Sequence, residues 1–512
     1  MVYASLLGYR AGYCDFVVTG GDMERVTDLL GKKVVLVTGT TGFVGKVYLE
    51  KLLRSCPEVT VRVIARGSKK HPCARARFEV DVLQSSIFNR LRDDGVDVSG
   101  RIQVVDAQLA APQLGLTEID FAAVAEGVDL IVNCAASVNF REALDQALAI
   151  NIESVISITA LAARFNLPLV HVSTCYVHGL HRGEIKEELH QPLKGILPGV
   201  DGTYPVEALM ERMQKDIAQV RAAANDADTE ENLITLGARY AAEHGFNDVY
   251  TLTKWMGEAL IHKTLKGHPV SIVRPAIVES TLSEPTPNWL EGVKVCDAVL
   301  FAWARRKTIV MPGDVNTSID IIPVDLVANA MMLASADVLN RTPGVETIQV
   351  GSSHVNPILL GQFTKILQRY CLANIDRLDN LFLEPPSRFF FLLKRNNFAR
   401  LMSVLSVFMR FSALLGGSKL YKNFQVTRNL ALVFGFYSTS AYSFKVDNLD
   451  ALAAKYAMDR ECFPCDPRAI EWTSYLEGHA DGVNAYAMRP RKKKSPVVAE
   501  QQGKLDGEEQ VA

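Results

Sequence analysis

The sequence predicts an α/β protein: a Rossmann-type, doubly wound parallel sheet followed by a mainly helical C-terminal domain. Three observations predict it. Short apolar runs alternate with helical patterns through roughly the first two thirds of the chain, the rhythm of a parallel sheet covered on both faces. The first of these runs ends in a glycine-rich turn that opens a helix. Beyond Pro357 the strand-like runs give way to aromatic-rich helical segments.

In order, Lys33–Val37 (KVVLV) is expected as a short buried strand, and KVYLEKLLRSC as a helix with apolar residues at helical spacing. Further strands are expected at Val59–Arg66 (VTVRVIAR), IQVVD from Ile102, VDLIVNCA from Val128, LPLVHVST from Leu167 and VSIVRP from Val270. At 512 residues the chain exceeds one ordinary core. The expected organisation is an N-terminal extension 1–22, a dinucleotide-binding domain 23–355, a helical domain 356–488 and a disordered, charged tail 489–512. Regular patterning begins at Met23, which makes Met23 a candidate true start.

The composition, 48% hydrophobic and 22% charged, suits a folded globular protein, and a net charge of −2 argues against nucleic acid as a partner. Nine scattered cysteines without a secretory pattern point to reduced thiols and a cytoplasmic location. No stretch of about 20 residues is free of charge, so no transmembrane helix is expected. The segment Phe389–Gly417, interrupted by Lys394, Arg395, Arg400 and Arg410, reads first as a helix packed on its own domain. A helix lying on a membrane surface and a lining for an apolar substrate are the alternatives.

The turn VTGTTGFVG, Val37–Gly45, places Gly39, Gly42 and Gly45 three apart between a strand and a helix. A dinucleotide needs this: a tight turn, a backbone that approaches the pyrophosphate without side chains, and a helix N-terminus that offers N–H groups to the anion. Thr38, Gly39, Thr41, Gly42, Phe43, Val44 and Gly45 are the expected contacts. The second strand ends not in an acid, which would bind the ribose hydroxyls of NAD, but in Arg66, which suits the 2′-phosphate of NADP. NADPH is therefore the expected cofactor, with Lys69 and Lys70 as possible helpers. No metal is expected.

In YTLTK, Tyr250 and Lys254 lie four apart, so on a helix they face the same way. The ammonium, with an oxidised nicotinamide, would favour the phenolate and let Tyr250 exchange a proton near neutral pH. Lys254 could also hold the nicotinamide ribose. A second hydroxyl is expected at the end of a sheet strand, in VHVSTCYVHG: Thr174 first, Ser173 as second choice.

These motifs together resemble the extended short-chain dehydrogenase/reductase superfamily. TGTTGFVG, CAASVNF, VSTCYV, YTLTK and VRPAIVES occur in the right order at fitting intervals. The resemblance implies that Ala135 and Ala136 line the adenosine side, that Asn151 helps fix the active-site strands, and that Pro275 and Ile277 border the nicotinamide. The chain departs from the pattern after the third strand. Ala107 and Gln108 stand where Gly-Asp or Gly-Glu often touches adenine, with Asp106 just before.

More narrowly, the chain resembles the alcohol-forming fatty acyl-CoA reductases of bacterial type from about Met23 to Met488. The stretches that carry this include RGSKKHPCARARF, EPTPNWLEGVKV, IDIIPVDLVANAMM, FGFYSTSAYSF and FPCDPRAIEWTSY. That resemblance implies NADPH-dependent reduction of a long-chain acyl-CoA through an aldehyde to a primary alcohol, with CoA released. It also implies a link to wax ester synthesis, and a cytoplasmic enzyme with peripheral membrane contact. The competing readings are a reductase that stops at the aldehyde, a sterol or sugar-nucleotide enzyme of the same superfamily, and an NADP-binding scaffold without turnover. Cys175, next to Thr174, is read as packing rather than as a nucleophile. The Cys462/Cys465 pair, and His71, His178, His181 and His190, form no ligand spacing that stands out.

Overall fold

The computed structural model describes residues 24–223, 226–304, 310–382, 391–412 and 442–488, with scattered positions from 421 to 438. The extension 1–22, Met23, the tail 489–512, and residues 389, 390 and 413–417 of the basic apolar segment lie outside the described residues.

Seven parallel strands form the central sheet: β1 (Val34–Thr38), β2 (Thr60–Ala65), β3 (Ile102–Asp106), β4 (Leu130–Asn133), β5 (Leu169–Val172), β6 (Pro269–Pro275) and β7 (Gly344–Val350). Their order is β7-β6-β5-β4-β1-β2-β3, and every neighbouring pair runs parallel. The chain builds outward from β1 to β3 and then from β4 to β7. The direction therefore reverses between β1 and β4, and a ligand crevice opens at such a switch point beyond the strand C-termini. Thr38 and Asn133 are register partners there. All four residues of β4 and of β5 are buried, which is why both are mainly apolar, with Asn133 and His171 as the polar exceptions.

Six strands fall where the sequence places them, within two residues at each end. The seventh, β7, does not stand out in the sequence. It is an edge strand whose first three residues are only half-buried, and GVETIQV interleaves polar with apolar residues.

Helices cover the sheet. α1 (Phe43–Ser55) follows the glycine turn and packs on α4 (Val324–Asn340), whose alanines and Ser335 allow close approach. α2 (Leu144–Phe165) contains a π-helical turn at Ala149–Glu153 and packs on α3 (Val249–Thr264). Among the described helices, α2 alone is long and apolar enough to cross a membrane, but 61% of its apolar window is buried in the protein.

The C-terminal part contributes α5 (Leu360–Ala373), α6 (Arg395–Ser412), α7 (Asp447–Lys455) and α8 (Trp472–Gly482). It is mainly helical but not free of strands. Phe391–Leu393 pairs with Val310–Pro312, Tyr442–Phe444 with Gly183–Ile185, and Ile358–Leu359 with Ser318–Ile319. Two- and three-residue strands are too short to leave a periodic signal in the sequence. One apolar cluster runs from Leu49 and Val327 to Leu449 and Tyr475, so the two parts share a core.

Candidate active site

The glycine turn sits at the switch point, and its glycines answer to geometry. Gly39 has φ +71°, and a Cβ there would stand 2.4 Å from the Cys134 carbonyl carbon. A Cβ on Gly45 would stand 2.5 Å from the Gly39 carbonyl oxygen. Gly42 caps α1 with no side-chain acceptor, which leaves the first N–H groups of the helix to an external anion. Thr41, Phe43 and Val44 keep accessible surface at this turn. Thr38 Oγ1 donates to Asn133 Oδ1 at 2.5 Å and accepts from the Ala135 N–H at 3.3 Å, fixing the start of the loop that carries Ala135 and Ala136.

Beyond β2, Arg66 is exposed and pairs with no carboxylate among the described residues; Lys69 and Lys70 are also exposed. Ala107 is buried and Gln108 exposed, so of that pair only Gln108 offers a polar side chain to the crevice edge. This donor set fits a dinucleotide: small residues where the pyrophosphate approaches, a helix N-terminus, and an exposed guanidinium beyond β2.

Asp248 caps α3, its Oδ1 accepting from the Thr251 N–H at 2.8 Å, and so sets the direction of the helix that carries Tyr250 and Lys254. Thr174 follows β5 in extended conformation, and its side chain lies close enough to the Tyr250 phenol to oppose the effect of burial on its pKa. Thr174 Oγ1 also lies 3.5 Å from the Pro275 carbonyl oxygen at the end of β6; Ile277 begins the next short strand. The Ser173 N–H donates to the Val273 carbonyl at 2.7 Å, and its buried Oγ has no hydrogen-bond partner among the described residues. Of the two hydroxyls, Thr174 is the one that acts on the Tyr250 phenol.

Lys254 Nζ donates to the Val172 carbonyl at 2.7 Å and lies 3.5 Å from His171 Nε2. Burial pushes its pKa down to about 8. Burial pushes Tyr250 the other way, above the ordinary phenol value, with Thr174 opposing. The expected pull of the lysine toward phenolate is thus not the controlling effect here. Lys254 is engaged by a backbone carbonyl, and desolvation leaves Tyr250 a protonated donor. Behind the pair, Asn133 Nδ2 and His171 Nδ1 are 3.0 Å apart, so Thr38, Asn133, His171 and Lys254 form one buried polar line from the glycine turn to the lysine. Burial, then the Lys254 charge, hold His171 well below the usual imidazole pKa, and it stays neutral.

Asn151 occupies the π-helical turn of α2. Its Oδ1 accepts from the Ser137 N–H at 2.9 Å, and its Nδ2 donates to Thr253 Oγ1 at 3.0 Å and to the Ser137 carbonyl at 3.3 Å. It ties α2 and α3 to the loop beyond β4.

Sequence reasoning gave no role to several residues around this pair. Phe140 packs edge-on against Tyr250 at 5.6 Å and against Tyr437 at 5.0 Å; Tyr437 meets Tyr176 at 4.7 Å. Phe43 stacks on Trp289 at 5.6 Å, and the Lys294 ammonium lies 3.6 Å above the Phe43 ring. Glu279, Asp297 and His479 bring three ligand-type atoms within 4.8 Å of one another, fully buried. His479 Nε2 is 3.0 Å from Asp297 Oδ1 and its Nδ1 2.9 Å from Ser280 Oγ, so α8 is pinned to the sheet-bearing part of the chain. His479 is 182 residues from Asp297, a separation no local motif reveals.

Cys175 is buried, its Sγ donating to the Arg274 carbonyl at 2.9 Å, and burial holds the thiol well above its ordinary pKa. That is the packing residue expected, not a thiolate nucleophile. His178 is buried and pushed down to about 3 by desolvation. His181 and His190 each bond a backbone carbonyl. Cys462 and Cys465 are free thiols.

Two family models, both described as male sterility protein, match the chain at residues 37–331 and 396–490. A probable fatty acyl-CoA reductase 5 of Arabidopsis thaliana is 33% identical over 67% of this chain and 71% of its own length. The alcohol-forming fatty acyl-CoA reductase of Simmondsia chinensis is 29% identical over 90% of this chain and 98% of its own. The fatty acyl-CoA reductase 1 of Rattus norvegicus is 28% identical over 94% and 90%. Among solved structures, the terminal R domain of the myxalamid pathway superposes with a TM-score of 0.58 at 17% identity, covering 88% of this chain and 90% of that one. The R domain of a non-ribosomal peptide synthetase from Mycobacterium tuberculosis gives 0.52 at 19% identity, covering 88% and 91%. At such identities these two structures establish the fold alone.

Proposed function

The chain belongs to the male sterility protein family, that of the fatty acyl-CoA reductases, and on that premise we propose that it reduces a long-chain acyl-CoA with NADPH, through an aldehyde, to a primary alcohol. The observation that carries the reading is the anchoring of α3, which bears Tyr250 and Lys254, at the end of β5 just before Thr174: Lys254 Nζ donates to the Val172 carbonyl at 2.7 Å.

Bound NADPH supplies hydride. The residues of the chain do the rest. The Gly39–Gly45 turn and the N-terminus of α1 hold the pyrophosphate, and Arg66 takes the 2′-phosphate. The Tyr250 and Thr174 hydroxyls converge where the thioester oxygen would lie and stabilise the oxyanion that develops on hydride addition. Collapse breaks the C–S bond and expels CoA as thiolate, which takes up a proton. The aldehyde then accepts a second hydride, and Tyr250, held protonated by burial, donates its proton to the alkoxide. Lys254 binds the nicotinamide ribose and, when charged, stabilises the tyrosinate left behind.

We assign the dinucleotide site to residues 23–355 and contact with the acyl chain to 356–488, whose Tyr437 joins Phe140 and Tyr176 in an aromatic wall beside Tyr250. Each methylene buried against such a wall contributes about 0.8 kcal/mol, a basis for chain-length selection. The test is thiol release from palmitoyl-CoA with NADPH. Release by the native enzyme and its loss in Tyr250→Phe support the proposal. Tight NADPH binding without thiol release from any acyl-CoA contradicts it.

A further inference from the structure

Helix α6 presents an apolar face to solvent. Leu401, Val404, Leu405, Phe408 and Phe411 recur at helical spacing along one side, with Val407 beside them, and all six are exposed. The two phenylalanines are 67% and 64% exposed, in a chain whose other aromatic side chains are mostly packed. The adjoining side of the helix, beyond Leu405, faces the protein through buried Phe398 and half-buried Met402 and Met409. Contiguous apolar surface of this kind marks an interaction site.

Charge tells which kind. From Pro385 to Val446 the sequence holds nine basic residues (Arg388, Lys394, Arg395, Arg400, Arg410, Lys419, Lys422, Arg428 and Lys445) and no aspartate or glutamate, although the whole chain carries −2. Arg400 and Arg410 lie on α6 itself, and neither forms an ion pair among the described residues. A free phosphate or a nucleic acid would meet the cations but leave the phenylalanines in water. A bilayer with anionic headgroups satisfies both. The helix also starts beside the active site: Arg395 Nη2 donates to Asn247 Oδ1 at 3.4 Å, one residue before the cap of α3.

We propose that α6 lies on an anionic membrane surface, its Leu401–Phe411 face in the headgroup–acyl boundary, and sets the catalytic cleft against the lipid phase. The test is co-sedimentation of the full chain with phosphatidylcholine vesicles, with and without phosphatidylglycerol, against a Phe408→Ser/Phe411→Ser double variant. The expected result is binding to the anionic vesicles that weakens with added salt, and at least about a tenfold fall in the vesicle-bound fraction for the variant, with turnover of a short, water-soluble acyl-CoA unchanged. Wild-type protein that stays in the supernatant, or a double variant that binds as well as the wild type, overturns the proposal. So does a wild-type dimer that the variant splits into monomers, which would assign the face to a second copy of the chain. Vesicle binding is read without turnover, so its failure is distinguishable from failure of the reductase reading.

Discussion

The Tyr437 hydroxyl donates to Asp248 Oδ2 at 2.9 Å, joining the C-terminal part of the chain to the residue that caps the catalytic helix. Asp248 is buried, and its other oxygen holds the Thr251 N–H. One hydrogen bond from the C-terminal part thus lands two residues before Tyr250.

Tyr437→Phe keeps the aromatic wall and removes only that bond. A hydrogen bond to a charged group contributes about 1.5–3 kcal/mol, so the variant should unfold at lower temperature. Its kcat on acyl-CoA should fall several-fold while its NADPH affinity holds. Calorimetry and steady-state kinetics check both; an unchanged kcat would make the contact structural only.

Thr174→Val removes one of two donors from the developing oxyanion. Loss of such a donor costs about a hundredfold to a thousandfold in kcat. Ser173→Ala, which removes a hydroxyl without a hydrogen-bond partner among the described residues, should cost far less. Stopped-flow hydride transfer with each variant separates the two, and the reverse order would exchange their roles.

Arg66→Asp replaces the guanidinium beyond β2 with the acid that suits a ribose hydroxyl. The ratio of NADPH to NADH efficiency should fall about tenfold to a hundredfold. An unchanged ratio would remove Arg66 from the cofactor site.

The Glu279–Asp297–His479 junction predicts a pH-dependent stability. Burial, then the charge of Asp297, raise the Glu279 pKa from 4.5 to about 8. Burial works against His479, but the hydrogen bond and charge of Asp297 hold it above the ordinary imidazole value. Both groups bind protons more tightly folded than unfolded. Their contribution is complete below the unfolded values and is lost as pH rises through the folded ones. The unfolding midpoint should fall from about pH 4.5, where unfolded Glu279 begins to ionise, to about pH 8, where the folded group does, and Glu279→Gln should flatten that fall. Differential scanning fluorimetry across this range checks it; a flat wild-type profile would contradict it.

The sheet was legible in the sequence because its inner strands are largely buried and so are written as mainly apolar runs, each closed by a turn or a helix. β7 was not, since an edge strand alternates polar and apolar residues. In the site, the local motifs were legible: the Gly39–Gly45 turn, the Tyr250/Lys254 spacing, and the hydroxyls of VHVST. The groups that surround them were not, because they meet only through the fold. Tyr437 is 189 residues from Asp248, and the line Thr38–Asn133–His171–Lys254 joins four separate elements. The electrostatic balance was also hidden: spacing alone placed the lysine near the tyrosine, but burial decides the direction in which each pKa moves.

The most direct test of the proposed activity is the ratio of NADPH consumed to thiol released from palmitoyl-CoA, with the product identified by gas chromatography. The account predicts two NADPH per thiol and hexadecanol as product. One NADPH per thiol with accumulating hexadecanal would contradict it, since Tyr250 would then protonate no alkoxide and the enzyme would stop at the aldehyde.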